Sequence, residues 1–198
     1  MEVSLIQPDK DDSDNEVSES SNYEVFSTIK IPAISVFLAF LVTISVFPAI
    51  FILIESDKKC DSSDRFYNDL FGPFLFVLYN LFDFCGRFTA EQIKSFLNKK
   101  RILTFALLRT VFIPAILLCN VSNSQLPILF RNDAFPILFI IGFSFSNGYL
   151  ASSAMMLGPS LVGPKDAGKA GTIMIFALTL GLLAGGCLSF LTVAISQG

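Results

Sequence analysis

The 198 residues are 53% hydrophobic and only 16% charged, with a formal net charge of −3 and no histidine. Average soluble domains carry about 25% charged residues, so this composition excludes most soluble classes and favours a membrane protein. The missing histidine excludes histidine-based triads and most zinc sites, and the sequence offers no nucleophile with a base and no metal-ligand cluster, so we predict no enzyme activity, no metal site and no cofactor.

The N-terminal residues 1–28 are acidic and rich in serine, and we predict that they form a disordered tail. Eight acidic residues precede residue 25, and only Lys10 offsets them. They are Glu2, Asp9, Asp11, Asp12, Asp14, Glu16, Glu19 and Glu24. The clustered lysines and arginines that bind a phosphate backbone are missing from the sequence, which argues against a nucleic acid partner.

Apolar segments follow one another through residues 29–198, which we assign to a membrane domain of five helices. Each segment is close to the roughly 17–25 residues that a helix needs to cross the hydrocarbon core. The segments are 31–54, 70–88, 102–121, 134–157 and 170–195. Because backbone polar groups must be satisfied within lipid, such continuous apolar runs form helices. The predicted fold class is therefore all-α, a polytopic transmembrane helical protein with five spans.

Charges in the short loops indicate the orientation, because lysine and arginine concentrate on the cytoplasmic side. One side carries Lys30, Lys94, Lys99, Lys100, Arg101, Lys165 and Lys169. The other side has fewer basic residues, diluted by acidic ones; together they are Lys58, Lys59, Arg65, Arg131, Glu55, Asp57, Asp61 and Asp64. We expect the N-terminal tail in the cytoplasm and, with five spans, the C-terminus outside.

Few ionisable residues fall inside the spans, and two of them, Asp83 and Arg87, are four residues apart. A charge at the bilayer centre costs at least about 2.5 kcal/mol, so the presence of this pair within a span indicates a functional or structural role. Helical spacing places Asn80 and Phe76 on the same face, and we call these four residues the polar stripe. The stripe suits a solute with hydroxyls and a flat ring, because a carboxylate accepts, a guanidinium donates and Phe76 stacks. The alternative is a salt bridge between helices that fixes their packing.

Three further positions are candidates for a structural role or for a cavity wall. Arg109 is a lone charge in the third span, and we interpret it as structural or gating. Pro48 interrupts the first span beside Phe47, which is typical of a helix broken next to a cavity. In the fourth span Asn147 lies on a face of small and polar residues, for which helix packing is favoured over a pore wall.

The fifth span carries small residues at intervals of four, a pattern that lets membrane helices pack backbone to backbone. These residues are Ala177, Gly181, Gly185 and Ser189. We predict that they form a helix-packing seam.

Four motifs resemble those of the equilibrative nucleoside transporter family. They are NLFDFCGR at 80–87, RTVFIPAILLCN at 109–120, FSNGYLASSAMMLGP at 145–159 and LGLLAGGCLSFL at 180–191. The resemblance runs from about Pro32 to the C-terminus but covers only the second half of such proteins, whose eleven helices form a major-facilitator-like arrangement of six and then five. It implies that residues 1–28 belong to the acidic loop joining the halves and that the spans are helices seven to eleven.

The resemblance also implies a function and a substrate-binding set. Family members move nucleosides, and in some cases nucleobases, down their gradients without sodium. The positions that match the family's substrate or cavity residues are Asp83, Arg87, Asn80, Phe76, Phe47, Pro48 and Leu182. By resemblance, Asp83 and Arg87 contact the sugar, and Arg109 matches an arginine to which we assign a structural role.

The sequence has no counterpart of the family's first half. Because substrate binds between the two halves, we predict that the chain is a fragment or a half that needs a six-helix N-terminal half and does not transport alone. The expected partners are nucleosides, membrane lipid and that half, and the expected location is the plasma membrane. The alternative is a non-transporting scaffold or regulatory half that associates with a full-length transporter through the seam of the fifth span.

Overall fold

The computed structural model describes residues 21–59, 63–93 and 98–197, and helices dominate them. The α-helices are α1 Asn22–Val46, α2 Phe71–Gln92, α3 Lys99–Leu108, α4 Phe112–Leu117, α5 Ala134–Ser160 and α6 Ala167–Gln197. Short 3₁₀ or π-helical turns cover Phe51–Leu53, Phe66–Leu70 and Arg109–Val111. The β-bridges within the described residues are isolated ones, and the predicted all-α class is confirmed.

Four helical segments are long and apolar enough to cross a membrane, judged by length and composition. They are Asn22–Leu53, Phe66–Gln92, Ala134–Ser160 and Ala167–Gln197. The prediction of a polytopic membrane protein is thus confirmed, whereas the count of five spans and the major-facilitator-like arrangement stay predictions.

The predicted third span, 102–121, is not one continuous helix. α3 ends at Leu108, a 3₁₀ turn covers Arg109–Val111, and α4 follows with Pro114 in its first turn. A proline has no N–H to donate and its ring clashes with the carbonyl four residues earlier, so an unbroken α-helix through this region is disfavoured. The break places the buried Arg109 in the turn between α3 and α4.

The first helix begins earlier than predicted, at Asn22. Residues 22–28, which composition assigned to the tail, are therefore the first turns of α1. Val25 and Ile29 are 2% and 0% exposed, and they share a core cluster with Ile102 and Ala106 of α3. The average composition of residues 1–28 does not reveal that Val25 and Ile29 are four residues apart and lie on one face of a helix. The predicted disorder of residues 1–20 lies outside the described residues, as do two charges used for the orientation, Asp61 and Lys94.

The first helix also ends before the predicted boundary at residue 54. α1 stops at Val46, because a residue that precedes a proline, here Phe47, disfavours the α conformation. The 3₁₀ turn Phe51–Leu53 continues the apolar segment.

The seam residues of α6 pack on α1. A Cβ at Gly181 would lie 2.6 Å from the carbonyl oxygen of Phe37, and one at Gly185 would lie 2.8 Å from that of Leu41. Ala177 and Ser189 are half-buried on either side of them along the helix. Since α1 already covers both glycines, this part of the seam is not open to a second protein.

α2 and α5 approach each other even more closely. A Cβ at Gly86 would overlap the carbonyl oxygen of Phe145, and one at Gly148 would overlap the carbonyl oxygen of Asp83. Glycine therefore brings the two backbones into contact at the level of the polar stripe.

Loop contacts join the segment that follows α1 to the start of α5. Ser56 Oγ donates to Asp133 Oδ2 at 2.7 Å, and the backbone N–H of Asp57 donates to Asp133 Oδ1 at 2.7 Å. Burial raises the pKa of Glu55, but hydrogen bonds from Lys59 and Ser122 lower that pKa by more, so it lies below its usual value. Because Asp133 directly precedes α5, its two bonds fix the start of that helix.

Candidate functional site

The polar stripe lies along one face of α2. Arg87 Nε donates to Asp83 Oδ2 at 2.7 Å, and the two side chains are 45% and 15% exposed. Asn80 is exposed, and its Nδ2 donates to the carbonyl oxygen of Phe76, 2.8 Å away. The ion pair therefore lies within one helix, which differs from the alternative of a salt bridge between helices.

The second oxygen of the Asp83 carboxylate is held from α5. Asn147 Nδ2 donates to Asp83 Oδ1 at 2.7 Å. Arg87 and Asn147 thus bind opposite oxygens of one carboxylate, from its own helix and from a neighbouring helix. A carboxylate held in this way keeps its orientation before any solute arrives.

Asn147 is in turn fixed by two buried side chains from other parts of the chain. Arg109 Nη1 donates to Asn147 Oδ1 at 3.2 Å, and the Thr43 hydroxyl donates to the same oxygen at 2.8 Å. Arg109 Nη2 donates to Thr43 Oγ1 at 3.0 Å. We call Thr43, Arg109 and Asn147 the buried network; each of its members is at most 3% exposed. It connects α1, the turn before α4, and α5 behind the stripe.

Arg109 is stabilised by more than hydrogen bonds. Its Cζ lies 4.9 Å from the ring centroid of Phe143, a cation–π contact. Its Nε has no hydrogen-bond partner in the described residues. The side chain bonds to residues of α1 and α5 and lies behind the stripe; the structural or gating role stays a prediction.

Aromatic rings border the stripe at the Phe76 end. Phe47 stacks on Tyr79 with centroids 4.2 Å apart and an interplanar angle of 14°, and its centroid lies 5.1 Å from that of Phe76. Pro48 is exposed next to Phe47. Leu182 lies on α6 and is 37% exposed. The structure thus brings Phe47 to the stripe residue Phe76, and it gives no contact between Leu182 and the described stripe.

Sequence reasoning missed Thr43, Tyr79 and the role of Asn147. Helical spacing relates residues only within one helix. It could not predict the bond from Asn147 to Asp83, because these residues are 64 positions apart and lie on different helices. Gly148, which follows Asn147, was the available signal, because a glycine within a membrane helix allows close approach of another helix. That signal does not reveal which helix approaches.

We expect Asn147→Ala to destabilise the chain, because it removes the acceptor of Arg109 and leaves a buried cation with fewer bonds. Hydrogen bonds to charged groups contribute about 1.5–3 kcal/mol. Ser144→Ala is the matched control: Ser144 is equally buried on α5, but its hydroxyl bonds only to carbonyls of α5 at 2.7 and 3.2 Å. Thermal denaturation of both variants in detergent measures the difference, and equal midpoints would contradict the role of the network.

Comparison with known proteins identifies the family. A family model described as "Nucleoside transporter" matches residues 2–194. The chain belongs to the nucleoside transporter family. It is 39% identical over 173 residues to equilibrative nucleoside transporter 2 of Homo sapiens, with 86% of this chain and 37% of the relative covered. It is 41% identical over 170 residues to equilibrative nucleoside transporter 1 of Rattus norvegicus, covering 84% and 37%.

A more distant relative matches a similar length of the chain. Equilibrative nucleoside transporter 4 of Danio rerio is 29% identical over 172 residues, which cover 85% of this chain and 30% of the relative. These relatives are named as transporters rather than as enzymes, in agreement with the predicted class. The chain spans only about 37% of the length of the human relative, so the activity of the whole protein is a matter for proposal.

In this member of the nucleoside transporter family, the polar stripe offers hydrogen-bond acceptors, hydrogen-bond donors and ring surface. Asp83 accepts hydrogen bonds, Arg87 offers donors in a planar fork, and both are partly exposed. Phe76, about 10 Å from Asp83 along the helix axis, and Phe47 beside it supply apolar ring surface at the other end of the stripe. These groups are chemically suited to a neutral polar solute that has both hydroxyls and an aromatic ring.

Proposed function

We propose that this chain forms the C-terminal part of a facilitative transporter that carries nucleosides across a membrane down their gradient. The observation that carries the proposal is the Asp83–Arg87 pair, which Asn147 holds and which lies on a partly exposed helix face whose other end carries Phe76 next to Phe47. Family membership supports the same conclusion.

The proposed contacts follow from the chemistry of a nucleoside. The ribose hydroxyls donate to Asp83 and accept from Arg87, and Asn80 lies one turn further along the helix. The base stacks on the rings at the Phe76 end of the stripe, where Pro48 lies beside Phe47. Leu182 lines the same pathway from α6. Hydrogen bonds to charged groups contribute about 1.5–3 kcal/mol each, so the sugar contacts dominate recognition.

We propose that a second half covers the stripe. Three apolar residues of α2 beside it, Val77, Leu81 and Phe84, are 66%, 54% and 66% exposed. In transporters of two related halves, substrate binds at the interface and access alternates as one half moves against the other. We propose that a six-helix N-terminal half packs on this face, that the N-terminal tail is cytoplasmic and the C-terminus extracellular, and that the protein resides in the plasma membrane.

Uptake of labelled uridine and adenosine tests the proposal. Cells express the chain alone, a six-helix first half alone, or both, and surface labelling measures the amount of each polypeptide. We expect uptake only when both halves are present, since neither supplies both walls of the pathway. Robust uptake by the chain alone, or none when both halves reach the surface, would contradict the proposal.

A further inference from the structure

A cavity of about 350 Å³ lies between α2, α3 and α5, within the range of about 300–1,000 Å³ that is typical of small-molecule sites. Thr89 of α2 lines it and follows Asp83 by six residues, which places the two about 120° apart around the helix axis. The cavity therefore lies on a different side of α2 from the polar stripe. Other lining residues are Phe105, Arg109, Phe145, Ser146 and Tyr149.

Arg109 brings an unsatisfied hydrogen-bond donor to this wall. Its Nη1 and Nη2 donate to Asn147 and Thr43, which are not among the described lining residues of the cavity. The outer end of the guanidinium is thus directed away from the cavity, which leaves Nε on the cavity side. In the described residues Nε has no hydrogen-bond partner, although Arg109 is only 2% exposed. A buried donor without an acceptor is costly, so a ligand with an acceptor at this point is favoured.

The charge of Arg109 also has no direct counter-ion in the described part of the chain. Its partners are an amide, a hydroxyl and the ring of Phe143. Asp83 is linked to it only through Asn147, and Asp83 is already paired with Arg87. Buried charges are ordinarily paired, and a guanidinium forms stronger hydrogen bonds with an anionic acceptor than with a neutral one. The free Nε therefore favours a carboxylate.

Much of the remaining wall is aromatic. The rings of Phe145 and Tyr149 are parallel within 3°, with centroids 6.4 Å apart, and Phe105 adds a third ring. The hydroxyls of Thr89 and Ser146 donate to backbone carbonyls of their own helices at 2.8 and 2.9 Å, so they offer a ligand no proton. Aromatic pairs gain energy beyond the burial of their area, so ring surface of this kind favours an aromatic ligand.

We infer that the cavity binds an aromatic carboxylate, whose carboxylate group accepts from Arg109 Nε and whose ring packs on Phe145 and Tyr149. The carboxylate supplies both the acceptor and the counter-charge that Arg109 lacks. The ring occupies the apolar part of the wall, where no further polar group of the ligand is needed.

This second site is connected to the stripe through Arg109. Nε lies just under the surface of the wall, so a carboxylate reaches it when the side chain shifts slightly toward the cavity. The same guanidinium holds Asn147, which holds Asp83. Binding in the cavity is therefore coupled to the orientation of the stripe carboxylate. An effect of this coupling on transport rests on the proposed function, whereas binding itself does not.

Binding of radiolabelled 2-naphthoate to the purified chain in detergent tests the inference. We expect saturable binding of one molecule per chain. Two unlabelled competitors separate the contributions: 2-naphthamide keeps the rings without the charge, and octanoate keeps the carboxylate without the rings. Each should compete at least about tenfold less well than 2-naphthoate itself. Equal competition by 2-naphthamide would overturn the role of Arg109, and equal competition by octanoate would overturn the choice of an aromatic ligand.

Matched variants locate the bound carboxylate. Thr89→Phe fills the cavity, and Thr179→Phe is its control: Thr179 is exposed on α6, and its hydroxyl donates to a carbonyl of its own helix at 2.9 Å. We expect the first variant to lose saturable binding and the second to keep it. Equal binding by the two would overturn the assignment of the cavity, and Ser146→Phe repeats the test if Thr89→Phe does not fold.

The stripe contains a second guanidinium, that of Arg87, which is the competing site for a carboxylate. Arg87→Gln should retain binding of 2-naphthoate, because Arg87 lies on the stripe side of α2. Binding that is lost in Arg87→Gln and kept in Thr89→Phe would place the ligand on the stripe and overturn the inference. Because these measurements involve no uptake, their outcome is distinct from that of the transport experiment.

Discussion

Replacing Asp83 with asparagine should lower uridine uptake by at least about tenfold when the chain is paired with its six-helix half, since 1.4 kcal/mol corresponds to a factor of ten. The substitution keeps the size of the side chain. It removes the charge that Arg87 neutralises at 2.7 Å and leaves one acceptor oxygen in place of the two that receive Arg87 and the Asn147 amide, each at 2.7 Å. The stripe then presents an amide NH2 donor and a guanidinium without a counter-charge where a sugar hydroxyl needs a carboxylate acceptor.

A second pair of identical spacing provides the control. Arg65 Nε and Asp69 Oδ2 are 4.0 Å apart, and their side chains are 84% and 66% exposed. Ion pairs exposed to this degree contribute little, so Asp69→Asn should leave uptake unchanged. Surface labelling of both variants separates lost transport from lost protein. If Asp83→Asn transports normally at equal surface amount, Asp83 does not contact the substrate.

The order of the helices could be predicted because the length of each apolar segment depends only on consecutive residues. Four of the predicted segments appear as long apolar helices. The third fails as a single helix because Pro114 acts on the conformation of the residues before it, which average hydrophobicity does not register. The early start of α1 was missed for a related reason: Val25 and Ile29 gain their stability from contact with α3 rather than from their neighbours in the tail.

The candidate site likewise has one part that the sequence predicts and one part that it does not. The stripe is a property of one helix, and a spacing of three and four residues suffices to find it. The buried network is a property of three segments that meet, and Thr43 and Asn147 are ordinary polar residues until their partners are known. The charge of Arg109 indicated that partners must exist, because an isolated charge is costly in a membrane, but it did not identify them.

Gly148→Ala should prevent α2 and α5 from packing and should have the largest effect on folding. The added Cβ would overlap the carbonyl oxygen of Asp83 and would lie 3.0 Å from the backbone nitrogen of Arg87. Backbone atoms within a helix cannot rotate away, so the two helices must separate. Overpacking in well-packed cores costs about 1–3 kcal/mol, occasionally more, and separation here also breaks the bond from Asn147 to Asp83.

Gly142→Ala is the matched control, since it lies on the same helix and its Cβ would meet only the ring of Phe112 at 3.4 Å. Alanine is the better helix former by about 1 kcal/mol, so this variant should be neutral or more stable. Size-exclusion profiles after heating in detergent measure the folded fraction of both. We expect aggregation of Gly148→Ala at temperatures where Gly142→Ala and the parent chain remain monodisperse. Equal stability of the two variants would show that the contact at Gly148 yields without cost, and that the position of Asp83 does not depend on the close approach of α5.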